Sequence, residues 1–556
     1  MLKGGKYMKN RLIAISMVSG LTLLTVTVGS LIVPSLLFML GISITALHIW
    51  PVVALSVGMA WMAAKMLQVE RPGRLLGEAL AVSILLFVVC FWISGSFYDL
   101  SYDGQAYHQE SVIYLANGWN PVYDEALNVS TGHSLWINHY GRASEIASAV
   151  MYAATGLIEH SKVFNLLMIV VSFLLSMSAL LALRPDQTKR AVIVAALLAL
   201  NPVSVYQVFS YYVDGLLASV LLCLVALACL IFARPGWLLL SAYSALMIFA
   251  MNIKFTGIAY AGVLTLGLLV ALYMSEQFGR LKQMFMIAAV GGLIGMFLIG
   301  YNPYVTNTIA KGNPFYPLAG AGAVDVIEDF IPRNLESMNR FEQAVNSNFS
   351  VMAGNTSEKT PTQIKLPFTF TERELIALSA PDAAVSGFGP LFSGVLLLSL
   401  ILLALGFHYR KGAAMAAIGL IVILAISAFV NPVAWWARYV PQFWIIPLIC
   451  VWLGFSIKGN RVVTGASWLL IAVISINTVI VGSTYTYYQY TWNQTLREQL
   501  SEIQSAQLPV KADFTYSWSN RERLTKLGIA FVEERPLKCE DKLTLTHSGT
   551  SICMHP

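Results

Sequence analysis

The sequence predicts an all-α polytopic membrane protein, and two observations carry that prediction: its composition and the spacing of its apolar tracts. Of 556 residues, 57% are hydrophobic and only 12% are charged, about half the charged share of a soluble domain. The apolar residues gather into repeated tracts of roughly 20, the length a helix needs to cross about 30 Å of hydrocarbon. Spans are expected near 12–34, 39–64, 75–95, 162–183, 191–209, 213–233, 237–253, 256–274, 284–301, 389–407, 413–430, 440–456 and 462–482. That is about 13 crossings, within a range of about 11–14, because 12–64 and 237–274 are continuous tracts divided by length alone.

Charge orients these spans. The N-terminus, MLKGGKYMKNR, holds Lys3, Lys6, Lys9 and Arg11, and no small-residue cleavage site follows the first apolar run. It reads as a retained first helix with its start in the cytoplasm. Alternate loops then carry Lys65, Arg71 and Arg74; Arg184, Lys189 and Arg190; Arg234; Arg280 and Lys282; Arg410 and Lys411; Lys458 and Arg461. These loops are short and basic, as the positive-inside rule requires. The opposite side receives the long segments 96–161, 302–388 and 483–556. The expected organisation is a transmembrane domain over 1–482, including the first two segments, and a small extracytoplasmic region over 483–556. The net charge of +6 is modest and calls for no nucleic-acid partner.

The long segments have some structure of their own. In the first, 104–116 has helical composition, with Asp103 placed to cap its start and Gly118 to end it. A second helix, Ser144–Leu157, is too short to span and is expected along the membrane interface. The second segment opens with Pro303, Pro314 and Pro317, which forbid a long helix, and runs through a polar stretch around 346–361 to a turn, VSGFGP. The tail offers a helix over Gln494–Ser505 and strand-like runs at Ile529–Glu533 and Leu543–His547. It reads as a small α+β appendage. Of six cysteines, Cys90, Cys223, Cys229 and Cys450 fall in spans, whereas Cys539 and Cys553 lie in the tail, in an oxidising compartment. A disulfide between them is expected, with two unpaired thiols as the alternative.

Chemistry-bearing residues collect on the long-loop side. If Asp103 starts a helix, Tyr107 and Glu110 share its face and His108 points elsewhere. Asp103 is then a helix cap, a general base, or a ligand for a divalent cation (Mg, Mn or Ca) together with Glu110. His108 is a ligand, an acid or a hydrogen-bonded structural residue. Asp214, in FSYYVDGLLASVLL, sits at the edge of hydrocarbon, where a carboxylate must be solvated, paired or cavity-lining. Lys254, in MNIKFTG, and Arg438, in WWARYVP, are cations on the side that should lack them. Both suit a phosphate; snorkelling, or stacking on Trp435, Trp436 or Tyr439, is the alternative. No Walker-type loop, HExxH helix, GxSxG elbow or CxxC pair occurs, which argues against an ATP-driven pump or a zinc protease.

Spaced motifs add a resemblance. Asp103-Gly104-Gln105-Ala106-Tyr107-His108, the Tyr-Tyr-Val-Asp run ending at Asp214, Gly312-Asn313-Pro314-Phe315-Tyr316-Pro317 and Ala437-Arg438-Tyr439-Val440-Pro441 occur in that order. Together with the topology, they resemble bacterial members of the GT-C superfamily of integral-membrane glycosyltransferases over roughly residues 75–456. Asp103 is followed by Gly104 where family members often carry a second acid. The resemblance implies a GT-C-like fold in a bacterial inner membrane and an extracytoplasmic active site. It implies a polyprenyl-phosphate (undecaprenyl-phosphate) sugar as donor and a glycan, lipid or protein as acceptor. It further implies single-displacement transfer with inversion, Asp103 and Asp214 as catalytic residues, and Tyr107, His108, Glu110, Lys254, Arg438 and Tyr439 around the substrates. The alternatives are a lipid-linked polysaccharide polymerase or ligase, a flippase, and a membrane scaffold. A flippase would carry ionisable groups deep in its helices.

Overall fold

The computed structural model describes residues 2–67, 70–129, 132–233, 236–325, 327–506, 509–539 and 541–554. Arg234, one of the basic loop residues, lies outside them. Helix α1 runs over Leu2–Phe38, α2 over Ile49–Met66 and α3 over Pro72–Gly95. The first long segment then forms α4 (Gln109–Ala116), α5 (Ser134–His139) and α6 (Ala143–Thr155). Next come α7 (Val163–Leu183), α8 (Thr188–Ala199), the single turn α9 (Pro202–Val205), α10 (Asp214–Ala233), α11 (Trp237–Ile253), α12 (Phe255–Met274) and α13 (Phe278–Ile294). The second long segment holds the short helices α14 (Thr306–Lys311), α15 (Arg340–Asn348) and α16 (Glu372–Ile376). Helices α17 (Phe392–Tyr409), α18 (Lys411–Phe429), α19 (Ile445–Ser456) and α20 (Arg461–Ser505) complete the bundle, and α21 (Asn520–Lys526) lies in the tail.

Among the described residues, ten helices are long and apolar enough to cross a membrane, joined by two shorter apolar ones at Trp237–Ile253 and Pro441–Ser456. The chain is a multi-pass membrane protein. The expected span at 191–209 is the exception. Helix α8 stops at Ala199, and Asn201 accepts from the Val203 N–H to start α9. Pro202 has no N–H to extend α8 and favours a fresh helix start. From Pro202 to Asp214 the chain is buried apart from Val205. Irregular backbone is tolerated at that depth only where protein satisfies it. Asn165 does so, its Nδ2 donating to the carbonyls of Gln207, Ser210 and Tyr212 at 3.2, 2.7 and 3.0 Å.

Helix α6 is the short helix expected in the first long segment. Its residues Ala143 and Glu145–Met151 are buried, packed on α4 and α1. Ala143, Ala147, Ser148 and Ala149 are small enough to let the helices approach closely.

The helix of the last span does not stop near 482. Helix α20 is 45 residues long in all, about 68 Å at 1.5 Å per residue, so the expected tail helix is its far end. A four-stranded sheet packs there, formed by β3 (Val510–Asp513), β4 (Phe531–Glu533), β5 (Lys542–Thr544) and β6 (Ser551–Cys553) in the order β4-β3-β6-β5; β1 (Ala353–Gly354) and β2 (Ala383–Val385) pair separately in the second long segment. Leu496, Leu500 and Ile503 of α20 share an apolar core with Val510, Phe514, Leu524, Ile552 and Leu100. The tail therefore rests on the chain leaving α3. Cys539 and Cys553 are joined by a disulfide.

Candidate active site

Several chain segments bring charge to one cavity of about 480 Å³, and four of them carry the residues singled out in the sequence. The first is the stretch after α3. The helix there starts ahead of Asp103, which has helical backbone (φ −60°, ψ −37°) and makes no capping bond. Ser101 does the capping, its Oγ accepting from the Gly104 N–H at 3.2 Å. Residues Gly104–His108 then form a π turn, a wider turn that often marks functional sites. It shifts the faces expected of an α-helix: Asp103, Tyr107 and His108 line the cavity, whereas Glu110 is buried in α4 and is absent from the lining. Glu110, offered as one possible partner of Asp103 for a cation, therefore does not line the cavity with it. Among the described residues, no group of three or more His, Cys, Asp and Glu side chains is arranged to hold a metal ion.

His108 is gripped from behind by a residue that sequence reasoning missed. Its Nδ1 lies 2.5 Å from Glu145 Oε1, and Glu145 also accepts from Ser144 Oγ at 2.8 Å. Burial lowers the affinity of His108 for a proton, but the charge and hydrogen bond of Glu145 outweigh it, so its pKa lies above the ordinary value. The buried pair fixes the imidazole at the cavity wall.

The second segment is the irregular stretch before α10, which delivers Asp214 as the first residue of that helix. Gln207 anchors it, its Oε1 accepting from the Gly215 N–H at 2.7 Å. The third is the break between α11 and α12. Lys254 is extended there (φ −156°, ψ 147°), and its Nζ reaches Asp214 Oδ1 at 2.8 Å. The same ammonium lies 4.1 Å over the Tyr439 ring.

The fourth segment precedes α19 and carries Arg438. Its guanidinium stands 3.7 Å from Asp103, 3.8 Å from Asp214 and 3.2 Å from Asp382. The Trp436 ring lies 4.5 Å from the guanidinium carbon and the Tyr439 ring 5.1 Å, and Arg438 Nη2 donates to the Tyr439 hydroxyl at 3.3 Å. The stacking expected of the two cations is present, and each also meets carboxylates in the cavity.

Asp382, next to Ala383 of β2, was not singled out in the sequence, where SAPDAAV carries no motif. It accepts from Trp436 Nε1 at 2.8 Å and Asn355 Nδ2 at 3.1 Å. Burial, opposed by Arg438 and aided by the charge of Asp103, pushes its carboxyl up to about 6. The three carboxylates differ in access. The side chains of Asp214 and Asp382 are 4% and 8% exposed, and that of Asp103 is 23% exposed. Asp103 also has the loosest partners: its contact with Arg438 is longer than a hydrogen bond. All three line the cavity, and Asp103 is the most exposed to an incoming group. Aromatic walls complete the cavity, including Tyr102, Tyr107, Trp136, Tyr140 and Tyr212.

No protein-family model matches the chain, and no curated protein matches it. Among solved structures, the chain is similar to ArnT from Cupriavidus metallidurans in the apo state, at 14% identity and a TM-score of 0.45, covering 82% of this chain and 86% of that one. The same protein bound to undecaprenyl phosphate matches at 13% identity and a TM-score of 0.45, with the same coverage.

Proposed function

We propose that this cavity transfers a sugar from a polyprenyl-phosphate donor to the hydroxyl of an extracytoplasmic glycan, lipid or protein acceptor. The observation that carries the reading is the asymmetry of the charge cluster. The most exposed carboxylate, Asp103, stands beside Arg438, which also meets the buried Asp214 and Asp382, while the second cation, Lys254, pairs with Asp214.

In this reading, Asp103 takes the proton of the acceptor hydroxyl as its oxygen attacks the anomeric carbon. The bond from that carbon to the donor phosphate oxygen breaks, and polyprenyl phosphate leaves. Arg438 and Lys254 face the negative charge that grows on the phosphate, a role in which fixed cations in a water-poor site are most effective. Asp214 holds Lys254 in place. A single displacement inverts the anomeric centre. Aromatic rings suit the apolar faces of a sugar, and the cavity volume falls within the range of small-ligand sites. The motif resemblance supplies the donor class and the extracytoplasmic orientation.

A turnover assay of the purified protein against a panel of polyprenyl-phosphate sugars, with and without chelator, tests the donor class and any need for a divalent cation. Asp103→Asn should lower kcat by about 10²–10⁴, the share of a positioned general base, while the protein still folds. Near-wild-type transfer by that variant overturns the assignment.

A further inference from the structure

Asp103 and Asp214 meet the same guanidinium, yet they arrive on chain segments more than a hundred residues apart. One side chain outside the cavity touches both segments. Asp99 is fully buried; its Oδ1 accepts from the Ser101 N–H at 2.8 Å and its Oδ2 from the Tyr211 N–H at 2.8 Å. Ser101 caps the turn that carries Asp103, and Tyr211 lies three residues before Asp214. We propose that Asp99 is a positioning residue, which sets the register of Asp103 against Asp214 around Arg438. This inference rests on the reading of the cavity given above and assigns that reading a further residue.

Three observations support it. Gly104, next to Asp103, packs directly on this carboxylate: a Cβ there would stand 1.9 Å from Asp99 Oδ2 and 2.4 Å from Ser101 Oγ. The glycine that interrupts the acidic motif is therefore required by the approach of Asp99. Next, the backbone of Asp99 is itself held at both ends. Its N–H donates to Glu159 Oε2 at 2.9 Å, and its carbonyl accepts from Arg523 Nη2 at 3.0 Å. Finally, Arg523 comes from α21, and it binds Glu159 Oε1 through Nε and Nη2 at 3.0 and 2.6 Å. The tail thus reaches the cavity through Asp99, and its role is to brace the turn that carries Asp103.

Asp99→Asn supplies the test, because it keeps the shape but offers only one acceptor oxygen for two N–H donors. One of the two bonds must then be lost. A structure of the full-length variant by cryo-electron microscopy should show the Asp103 carboxylate displaced from Arg438, from which it stands 3.7 Å away here. An unmoved carboxylate overturns the inference, whatever the activity. In solution kcat should fall about a hundredfold, the scale of a misplacement of about 1 Å, while the affinity for polyprenyl phosphate stays within about threefold, since the cations remain. Equal loss of turnover and of lipid affinity indicates a general structural role and overturns it. If Asp99→Asn does not fold, Gly104→Ala makes the same measurement by pushing the carboxylate aside: retained turnover overturns the inference, and lost turnover with retained lipid affinity supports it. The two readings fail separately. An active Asp103→Asn removes the base but leaves the displacement measured by cryo-electron microscopy to decide on Asp99.

Discussion

Two charge clusters draw on the start of the first long segment, one through the backbone of Asp99 and the other through the side chain of Asp103, and they are built on opposite terms. Around Glu159, every contact is short: Lys162 Nζ at 2.6 Å, Arg523 Nη2 at 2.6 Å and the Asp99 N–H at 2.9 Å. Around Arg438, the three carboxylates stand at 3.2, 3.7 and 3.8 Å, and its own Nε is buried without a partner. The first cluster is closed and fully hydrogen-bonded. The second holds three carboxylates against two cations, with Asp103 the most exposed of them. A buried charge left short of partners is costly, so such an arrangement makes sense where a ligand completes it. The difference separates a brace from a site, although the same residue types build both.

Breaking the brace should give the largest effect on stability. Arg523→Ala leaves Glu159 with Lys162 as its one remaining cation, beside the Asp99 N–H, and takes the clamp off the Asp99 carbonyl. Removing one partner of a buried ion pair costs about 3–5 kcal/mol, which thermal unfolding of the purified protein should register as a clear fall in Tm. Arg438→Lys should do the reverse. It keeps the positive charge among the carboxylates, so Tm should stay near wild type, but it replaces a planar fork by a point charge. Turnover should fall about 10²–10³-fold, the cost of one lost donor to a developing anion. If Arg438→Lys instead lowers Tm as far as Arg523→Ala does, with transfer intact, the distinction between brace and site is wrong.

What was legible in the sequence follows the same division. Spans could be located because hydrocarbon length imposes a long apolar tract on each. Asp103, Asp214, Lys254 and Arg438 stood out because a charge beside such a tract is expensive and needs a reason. Asp382 lies in a polar loop, where one more carboxylate is ordinary, and only the fold brings it to Arg438. Glu159 and Arg523 are 364 residues apart, and no local pattern links them. The π turn at Gly104–His108 was invisible because its composition suits an α-helix equally well. It changed which neighbours Asp103 keeps, exchanging Glu110 for His108. The continuation of α20 was hidden by the polar and aromatic run around 483–493, which reads as an exit from the membrane yet remains helical.

A smaller effect should separate the three carboxylates of the open cluster from one another. Asp382 is the one whose proton affinity is raised, to about 6, against an ordinary value near 3.9. The folded protein therefore holds this proton more tightly than the unfolded chain does. The contribution of Asp382 to stability falls as pH rises between about 4 and 6 and is level above that window. The groups facing it are Arg438, Asp103, Asp214, Trp436 and Asn355. Below about pH 6, Asp382 becomes neutral and Arg438 loses its closest counter-ion, leaving the guanidinium freer for a phosphate. A sugar phosphodiester does not itself titrate in this range, so donor affinity reports on the site. Lowering the pH from 8 towards 5.5 should tighten donor binding by roughly fivefold, the size of one partly screened charge contact. In Asp382→Asn, the tighter binding should already be present at pH 8, and the dependence on pH should disappear. If the variant keeps the wild-type pH profile, Asp382 is not the counter-ion that the donor displaces.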